Sequence, residues 1–419
     1  MVNITINTDK TISINGKKTF LIGMGAICYD MYSIVNCEES VAINNKSIID
    51  FTPTASSFSI STKDVYYGDR LFVGRGWEGI NNTEVALNGF FGWSQWDEPN
   101  PGVGFYKNYT TKAQVIAHLA SVYAERKYAI TGHPVSIVLC CDYYIDVNLW
   151  AAQNYADIVM WDYYAYQDDL EIYGDLVDYN YWWEIASVQN VGITTDLENF
   201  NKPVMTYIQA LGVTGTGVYP ITKKMARAAT YTAITAGVDG IQYYAYLYEG
   251  AWNNDPNTTT GLWKNQTLAA EYNEIIKEVK SINDVLVSPT VSHSWHSDFT
   301  SDDVTFSNTI YKTIAWYPAI RNWNYIRKEV NGKTYLIVVN KDVSPVSNVQ
   351  MTVSGLSGTM GAKMLGDETT GSASEHKSTP IPVTNGVFTD NFDGYAVHIY
   401  QISSDIPCPA SECDFTITQ

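Results

Sequence analysis

The sequence predicts a mixed α/β fold, a closed barrel of β/α units followed by an antiparallel β-sandwich domain. Three observations predict it. From about residue 19 to residue 286, short apolar strands alternate with helical patterns, the mark of a parallel sheet built from β/α units. After residue 303 the texture changes to short alternating strands separated by Gly, Asn, Asp and Ser turns. The length, 419 residues, exceeds what one small core organises, and a large barrel with an appended domain fits it.

The elements follow in chain order. The opening "MVNITINTDKTISINGKKTF" alternates apolar and polar residues around Asn15-Gly16, a dipeptide suited to a two-residue hairpin turn. Residues 1–18 therefore read as a β-hairpin that packs on the barrel floor or joins the later sheet. "TFLIGMGAICYD" reads as the first barrel strand, and "SIIDFTPTA" and "DRLFVGRGW" as weaker second and third strands. The fourth is "NGFFGWSQWDEPN", followed by the amphipathic helix "TTKAQVIAHLASVYAERKYA", opened by threonines that can cap it. "HPVSIVLCCDYY", "ADIVMWDYYAY" and "KPVMTYIQALG" are the fifth, sixth and seventh strands. The helix "TKKMARAATYTAITAG" stops on Gly237, a residue suited to a left-handed cap. "VDGIQYYAYLYEG" is the eighth strand, and "NQTLAAEYNEIIKEVKSIND" the last helix.

Eight strands with helices between them, over residues 19–290, fit a TIM (β/α)8 barrel. An open doubly wound sheet would need a Gly-rich phosphate turn after an early strand, and "LIGMGAICYD" has no third glycine in register. Residues 291–303 read as a linker, 304–403 as the β-sandwich and 404–419 as a tail.

Composition narrows the partners. A net charge of −18 repels nucleic acid, whose affinity for proteins rests on Lys and Arg neutralising phosphate. No apolar stretch of about 18 residues is present, so no membrane insertion is expected. The N-terminus lacks the basic start and apolar core of a signal peptide. Either a leader has been removed, or the protein leaves its cell by another route, as a virion component would. The expected location is extracellular, cell-surface or virion-associated, with a homo-oligomer or larger surface assembly as a further expectation. Charged residues are few (17%) while aromatics are many (13%, with 31 Tyr and 12 Trp), so the surface is polar through amides and hydroxyls. Aromatic faces stack on sugar rings, and neutral carbohydrate suits such a surface; an ordinary extracellular surface has the same composition.

Cys28 with Cys37, and Cys408 with Cys413, are spaced to close short disulfide loops in an exported protein. Cys140-Cys141 lies in an apolar run and reads as packing. No doubled CxxC pattern is present, and His293 and His296 in the linker have no Cys or acid partner in register, so neither metal nor cofactor is expected.

In a barrel of this kind the active site forms at the C-terminal ends of the strands. The fourth strand ends in Trp96, Asp97 and Glu98, and the fifth in Asp142, Tyr143 and Tyr144. The sixth ends in Asp162, Tyr163 and Tyr164, and the seventh in Tyr207 and Gln209. The eighth carries Tyr243, Tyr244, Tyr246 and Glu249. Carboxylates and tyrosines at successive strand ends would converge on one cleft. A general acid there must stay protonated near neutral pH, which burial, aromatic walls or a neighbouring carboxylate would ensure. Sequence neighbours at a strand end point to opposite sides, so Asp97 and Glu98 need not both face the cleft.

The "WDEPN" segment resembles the fourth-strand motif of the TIM-barrel glycoside hydrolases, where a Glu, often within Asn-Glu-Pro, is the general acid/base. "KTYLIVVN" and "FDGYAVHIYQI" are similar to strands of the β-domain that follows many such barrels. The resemblance implies a glycoside hydrolase-like protein acting on a neutral or N-acetylated polysaccharide, with Glu98 as general acid/base. Asp97 replaces the usual Asn. Trp96, Tyr164, Tyr207, Gln209, Tyr244 and Glu249 are the expected substrate-binding residues. The chain departs from the pattern at Gln209, because retaining members of that group carry a nucleophilic Glu at the end of strand seven, and an amide cannot supply an anionic nucleophile. Asp162 could be the second carboxylate, as base or stabiliser. Alternatively, Asp97 orients a substrate acetamido group, or Glu249 swings inward. The rival reading is a non-catalytic carbohydrate-binding or structural surface or virion protein that retains a glycosidase fold.

Overall fold

The computed structural model describes residues 3–24, 51–53, 71–75, 90–97, 109–129, 132–140, 154–162, 201–210, 212–214, 222–244, 249–251, 258–260, 262, 266–293, 303–314, 317–365 and 379–407. The chain divides into two compact units. One draws on Met1–Tyr164, Asp196–Ala226 and Val238–Asn283, the other on Ala165–Thr195, Arg227–Gly237 and Asp284–Gln419.

The first unit opens with a three-stranded antiparallel sheet, β1 (Ile4–Ile6), β2 (Ile12–Ile14) and β3 (Lys17–Thr19). Asn15 and Gly16 have φ of 51° and 82°, the pair of left-handed residues that a type I′ turn requires. The expected hairpin is one strand larger, since β1 adds to β2 with Ile4 opposite Ile14. Period-two alternation then turns Ile4 and Ile12 to one face, where they are buried with Leu21, Val138, Ile158, Met160 and Met205. Leu21, Ile158 and Met205 stand at the first or second positions of their strands, so this sheet covers the floor of the parallel sheet. Each buried Ile or Leu contributes about 1.5–3 kcal/mol.

The parallel strands are β4 (Leu21–Met24), β5 (Phe51–Pro53), β6 (Leu71–Arg75), β7 (Phe90–Asp97), β8 (Val135–Cys140), β9 (Ile158–Asp162) and β10 (Val204–Gln209). After a short β11 (Gly212–Thr214) comes the last of them, β12 (Gly240–Tyr244). All eight fall within the eight segments read from the sequence, in the same order. Their pairing runs β10-β12-β4-β5-β6-β7-β8-β9, and β9 pairs in turn with β10, which curls the sheet into a ring. The antiparallel strands β13 (Glu249–Ala251) and β14 (Thr258–Thr260) join β11 in a small sheet that follows the C-terminal ends of β10 and β12.

Three longer helices are described: α1 (Lys112–Ala129) between β7 and β8, α2 (Lys223–Thr235) before β12, and α3 (Gln266–Ser281) after it, followed by the short α4 (Asn283–Leu286). The threonines cap as expected. Gln114 N donates to Thr111 Oγ1 at 3.3 Å while Gln114 Oε1 accepts from Thr111 N at 3.1 Å, a reciprocal capping box. At α2, Met225 N donates to Thr222 Oγ1, and Gly237 ends the segment with φ 96°.

The second unit is a nine-stranded antiparallel sheet and a two-stranded ribbon. Its strands are β15 (Thr290–His293), β16 (Val304–Phe306), β17 (Tyr311–Ile314), β18 (Tyr317–Arg321), β19 (Trp323–Val330), β20 (Lys333–Asn340), β21 (Val346–Val353), β22 (Thr359–Leu365), β23 (Ile381–Thr384), β24 (Val387–Phe392) and β25 (Val397–Ser403). The large sheet runs β15-β19-β20-β25-β22-β23-β24-β21-β16, with β17 and β18 forming the ribbon. It folds over on itself: Phe306 of edge strand β16 stacks on Trp323 of β19, near the opposite edge, with ring centroids 5.2 Å apart. Trp323, Tyr325, Leu336, Met351, Phe388 and Tyr400 are buried in the core so formed.

One boundary is corrected. The segment read as the start of a linker, 291–303, begins inside β15, whose His293 pairs with Ile326 and is buried. Pairing satisfies backbone groups along one side of β19 that water would otherwise have to serve. Cys28, Cys37, Cys141, Cys408, Cys413 and His296 lie outside the described residues. Among the described residues no helix is long and apolar enough to cross a membrane, and no group of three His, Cys, Asp or Glu is placed to hold a metal.

Candidate active site

Register partners in a parallel sheet share a face, and the face alternates along each strand. Three consecutive rows follow from the pairing. The lowest threads Leu21, Gly240, Met205, Met160 and Val138. Leu21, Met205, Met160 and Val138 lie in the interior cluster covered by the N-terminal sheet, and a Cβ on Gly240 would come within 2.8 Å of Met205 Cε and 3.0 Å of the Leu21 carbonyl. Bare backbone is what lets these side chains close up there. Two residues further toward the C-terminal ends, the next row reads Gly23, Gln242, Tyr207, Asp162 and Cys140. The row above it holds Gln209 and Tyr244. The positions thus turn from apolar to polar within one strand repeat, a rise of about 7 Å.

The intervening residues face the helices. Tyr243 is fully buried, its ring edge-on to Tyr272 of α3 at 5.0 Å and 84°, so of the eighth-strand tyrosines it packs rather than lining a cleft. Tyr272 is pushed well above the ordinary tyrosine range by burial, then by its neighbours Tyr243 and Glu271. Its hydroxyl donates to the Gln209 carbonyl at 2.8 Å and so anchors the end of β10. Trp93 of β7 lies 5.9 Å beneath the Arg126 guanidinium of α1, also in the helix layer. Trp161 of β9 is buried as well.

The expected site residues divide into four groups. Tyr207, Gln209 and Tyr244 come together at the ends of β10 and β12, with the Tyr207 and Tyr244 rings 6.3 Å apart at 67°. Tyr207 is half-buried against the interior cluster, and Gln209 is buried. Trp96, Asp97 and Asp162 belong to strand ends by backbone: Asp97 closes β7 opposite Val138 after a register shift, and Asp162 closes β9 between Cys140 and Tyr207. Glu98 and Tyr164, with Asp142, Tyr143, Tyr144, Tyr163 and Tyr246, lie outside the described residues. Glu249 opens β13, beyond the end of the eighth strand at Tyr244, its backbone paired with Thr260, which itself pairs with Gly212.

The sequence reading passed over Gln242, buried in the middle of "GIQYY". A lone amide inside a run of apolar and aromatic residues was the available signal. It also passed over Asp157 and Asp239, at the opposite ends of the strands, where the carboxylates bond backbone amides.

No protein-family model and no curated protein sequence matches the chain. Among solved structures it is similar to a β-galactosidase from Bacillus circulans sp. alkalophilus, with a TM-score of 0.55 and 8% identity, covering 92% of this chain and 99% of that one. It also matches a Bifidobacterium dentium β-glucuronidase complexed with coumarin-3-O-glucuronide (TM-score 0.46, 15% identity, 65% of this chain and 49% of that one). A family 51 α-L-arabinofuranosidase from Bifidobacterium longum is a third (TM-score 0.47, 11% identity, 92% and 95%). The chain spans about half the length of the β-glucuronidase. What the chain shares with the β-galactosidase is a fold, a parallel α/β sheet unit together with an antiparallel β domain.

Proposed function

We propose that this protein is a glycoside hydrolase-like enzyme, a TIM (β/α)8 barrel with a C-terminal β-sandwich, acting on a neutral or N-acetylated polysaccharide. The observation that carries the proposal is the switch from an apolar to a polar row across one repeat, with Asp162 in the polar row and Asp97 ending β7. Polar side chains inside a curled parallel sheet are costly unless they meet a ligand or one another, and its C-terminal end is where such folds bind substrate. The fold shared with a β-galactosidase supports the same reading.

Glu98 follows Asp97 directly at the end of the fourth strand, and in this reading it donates its proton to the glycosidic oxygen as the C–O bond breaks. Asp162 then accepts a proton from the attacking water, or stabilises the positive charge developing on the ring. Where the substrate carries an acetamido group, Asp97 orients it as an internal nucleophile. Tyr207, Gln209 and Tyr244 hold sugar hydroxyls, with Trp96 and Tyr164 as ring contacts. Turnover of a panel of aryl glycosides and polysaccharides by the wild type and by Glu98→Gln tests this. Hydrolysis by the first and its loss in the second supports the assignment.

Gln209 favours a second reading. An amide stands where a retaining enzyme needs an anion, and it is buried rather than free to be replaced by a mobile acid. A binding protein on a glycosidase scaffold would keep the tyrosines and dispense with the nucleophile. If wild type and Glu98→Gln bind glycans equally and neither turns them over, this reading replaces the first. An acidic chain with few charged residues suits an extracellular, cell-surface or virion setting in either case, and a closed oligomer or filament on purification would support a surface assembly.

A further inference from the structure

Gln242 is the third residue of β12 and only 1% exposed. Ile241 and Tyr243, on either side of it, belong to the opposite face, and Tyr243 packs on Tyr272. Gln242 therefore shares the inner face with Gly240 below and Tyr244 above. Its register partners are Tyr207 on β10 and Gly23 on β4. Gly23 carries no side chain, so the register partner on that strand offers the amide no side-chain acceptor. The Nε2 group is buried and, among the described residues, donates to no acceptor.

A buried donor without an acceptor opposes folding, and native interiors rarely leave one. One that persists in the polar row, two strands from Asp162, has a use if an acceptor arrives from outside the chain. We infer that Gln242 is a ligand-binding residue at the base of the site, its Nε2 donating a hydrogen bond to a hydroxyl oxygen of a neutral sugar. The inference rests on the carbohydrate reading and extends it. Gln242, level with Tyr207, fixes the innermost hydroxyl, while Gln209 and Tyr244, one row up, meet the sugar nearer the mouth.

Gln242→Met keeps the length of the side chain and removes both polar groups. Its thermal midpoint without ligand should equal or exceed that of the wild type, because the unmatched donor is gone. Calorimetric titration with methyl β-D-galactopyranoside and with N-acetylglucosamine oligomers should show binding to the wild type weakened about 5- to 10-fold in the variant. Should Gln242→Met fail to fold, Gln242→Glu retains the shape while replacing the amide donor, and the same weakening is expected. Wild-type binding with unchanged affinity in the variant overturns the inference and leaves the carbohydrate reading standing, since the donor then serves a buried water. A wild type that binds neither sugar overturns both.

Discussion

Asp157 and Asp239 stand in the same relation to the strand beside them. Each immediately precedes a strand, and each grips the first residue of the neighbouring strand by two bonds. Asp157 N donates to Val135 O at 2.7 Å and its Oδ2 accepts from Val135 N at 2.8 Å. Asp239 N donates to Val204 O at 2.7 Å and its Oδ2 accepts from Val204 N at 2.9 Å. The first amide of a strand has no further ladder partner on that side, and the carboxylate supplies one. Replacing Asp239 by Ala should therefore destabilise the first unit by about 1.5–3 kcal/mol, the range for a hydrogen bond to a charged group. Asp157→Ala should cost more, because the same carboxylate accepts from the Tyr123 hydroxyl at 2.7 Å and pairs with Lys127 at 3.2 Å. Denaturant midpoints of the two variants, compared with the wild type, check the order.

Gly16 and Gly386 have nearly the same backbone but different surroundings. Both follow an Asn in a type I′ hairpin, at φ 82° and 80°. A Cβ at Gly16 would meet nothing within 4 Å, whereas one at Gly386 would lie 2.2 Å from the Val353 carbonyl oxygen. Gly16→Ala should lose roughly 1–2 kcal/mol for the left-handed conformation alone. Gly386→Ala should lose a further 1–3 kcal/mol or so, because backbone must move to admit the methyl. Thermal melts of the two variants separate the conformational and steric contributions.

Three buried tyrosines and the half-buried Tyr123 make the fold sensitive to alkali. Burial raises the hydroxyls of Tyr155 and Tyr123 above their ordinary range, with the Asp157 carboxylate adding to the effect at Tyr123. It raises Tyr272 and Tyr400 also, Tyr400 being held further by its bond to Asp390 at 2.9 Å. A group whose folded value is raised keeps its proton in the native state while the unfolded chain releases it. The stabilisation is fully present below about pH 10, the unfolded tyrosine value, and is lost as pH climbs above it. Absorbance titration should show these hydroxyls ionising together with unfolding. A smooth titration near pH 10 of every tyrosine in the native protein would contradict it.

On the glycoside hydrolase reading proposed above, strand spacing predicts the stereochemistry of the reaction. β7 and β9 are separated by β8, which puts their backbones about 10 Å apart. That spacing suits the roughly 6.5–9.5 Å carboxyl separation of inverting glycosidases better than the roughly 5–5.5 Å of retaining ones. With Gln209 in place of a nucleophile, the first product formed from an aryl glycoside should have inverted anomeric configuration, observed by proton NMR in the first minutes. If Asp162 is the base of that reaction, Asp162→Asn should lower turnover by about 10²–10⁴-fold. Retention with an N-acetylated substrate would transfer the role to Asp97 and the acetamido group.

Much of the architecture was legible in the residues. "VSIVLC", "IVMWD" and "VMTYIQ" are apolar runs of strand length bounded by turn residues, and a parallel sheet buried on both faces demands such runs. Asn15-Gly16 specified its turn because few other pairs tolerate two left-handed residues, and Thr111 and Gln114 specified a helix start through local bonds. The same logic applied to Asn385-Gly386 would have found the β23–β24 hairpin, which the strand patterns alone did not single out.

What the sequence determined by itself was local: which segments are strands, where helices start and stop, and which strand tips bear acids and tyrosines. Only the tertiary structure decided which of those residues share a row. Register between strands distant in sequence put Gln242 beside Tyr207 and Asp162 beyond it, and paired the Glu249 backbone with Thr260 in β13. The physical reason is that period-two alternation fixes a residue's face only relative to its own neighbours. Which face is inside, and what stands opposite, depends on backbone hydrogen bonds made between separate strands and on the apolar surface those bonds bring together.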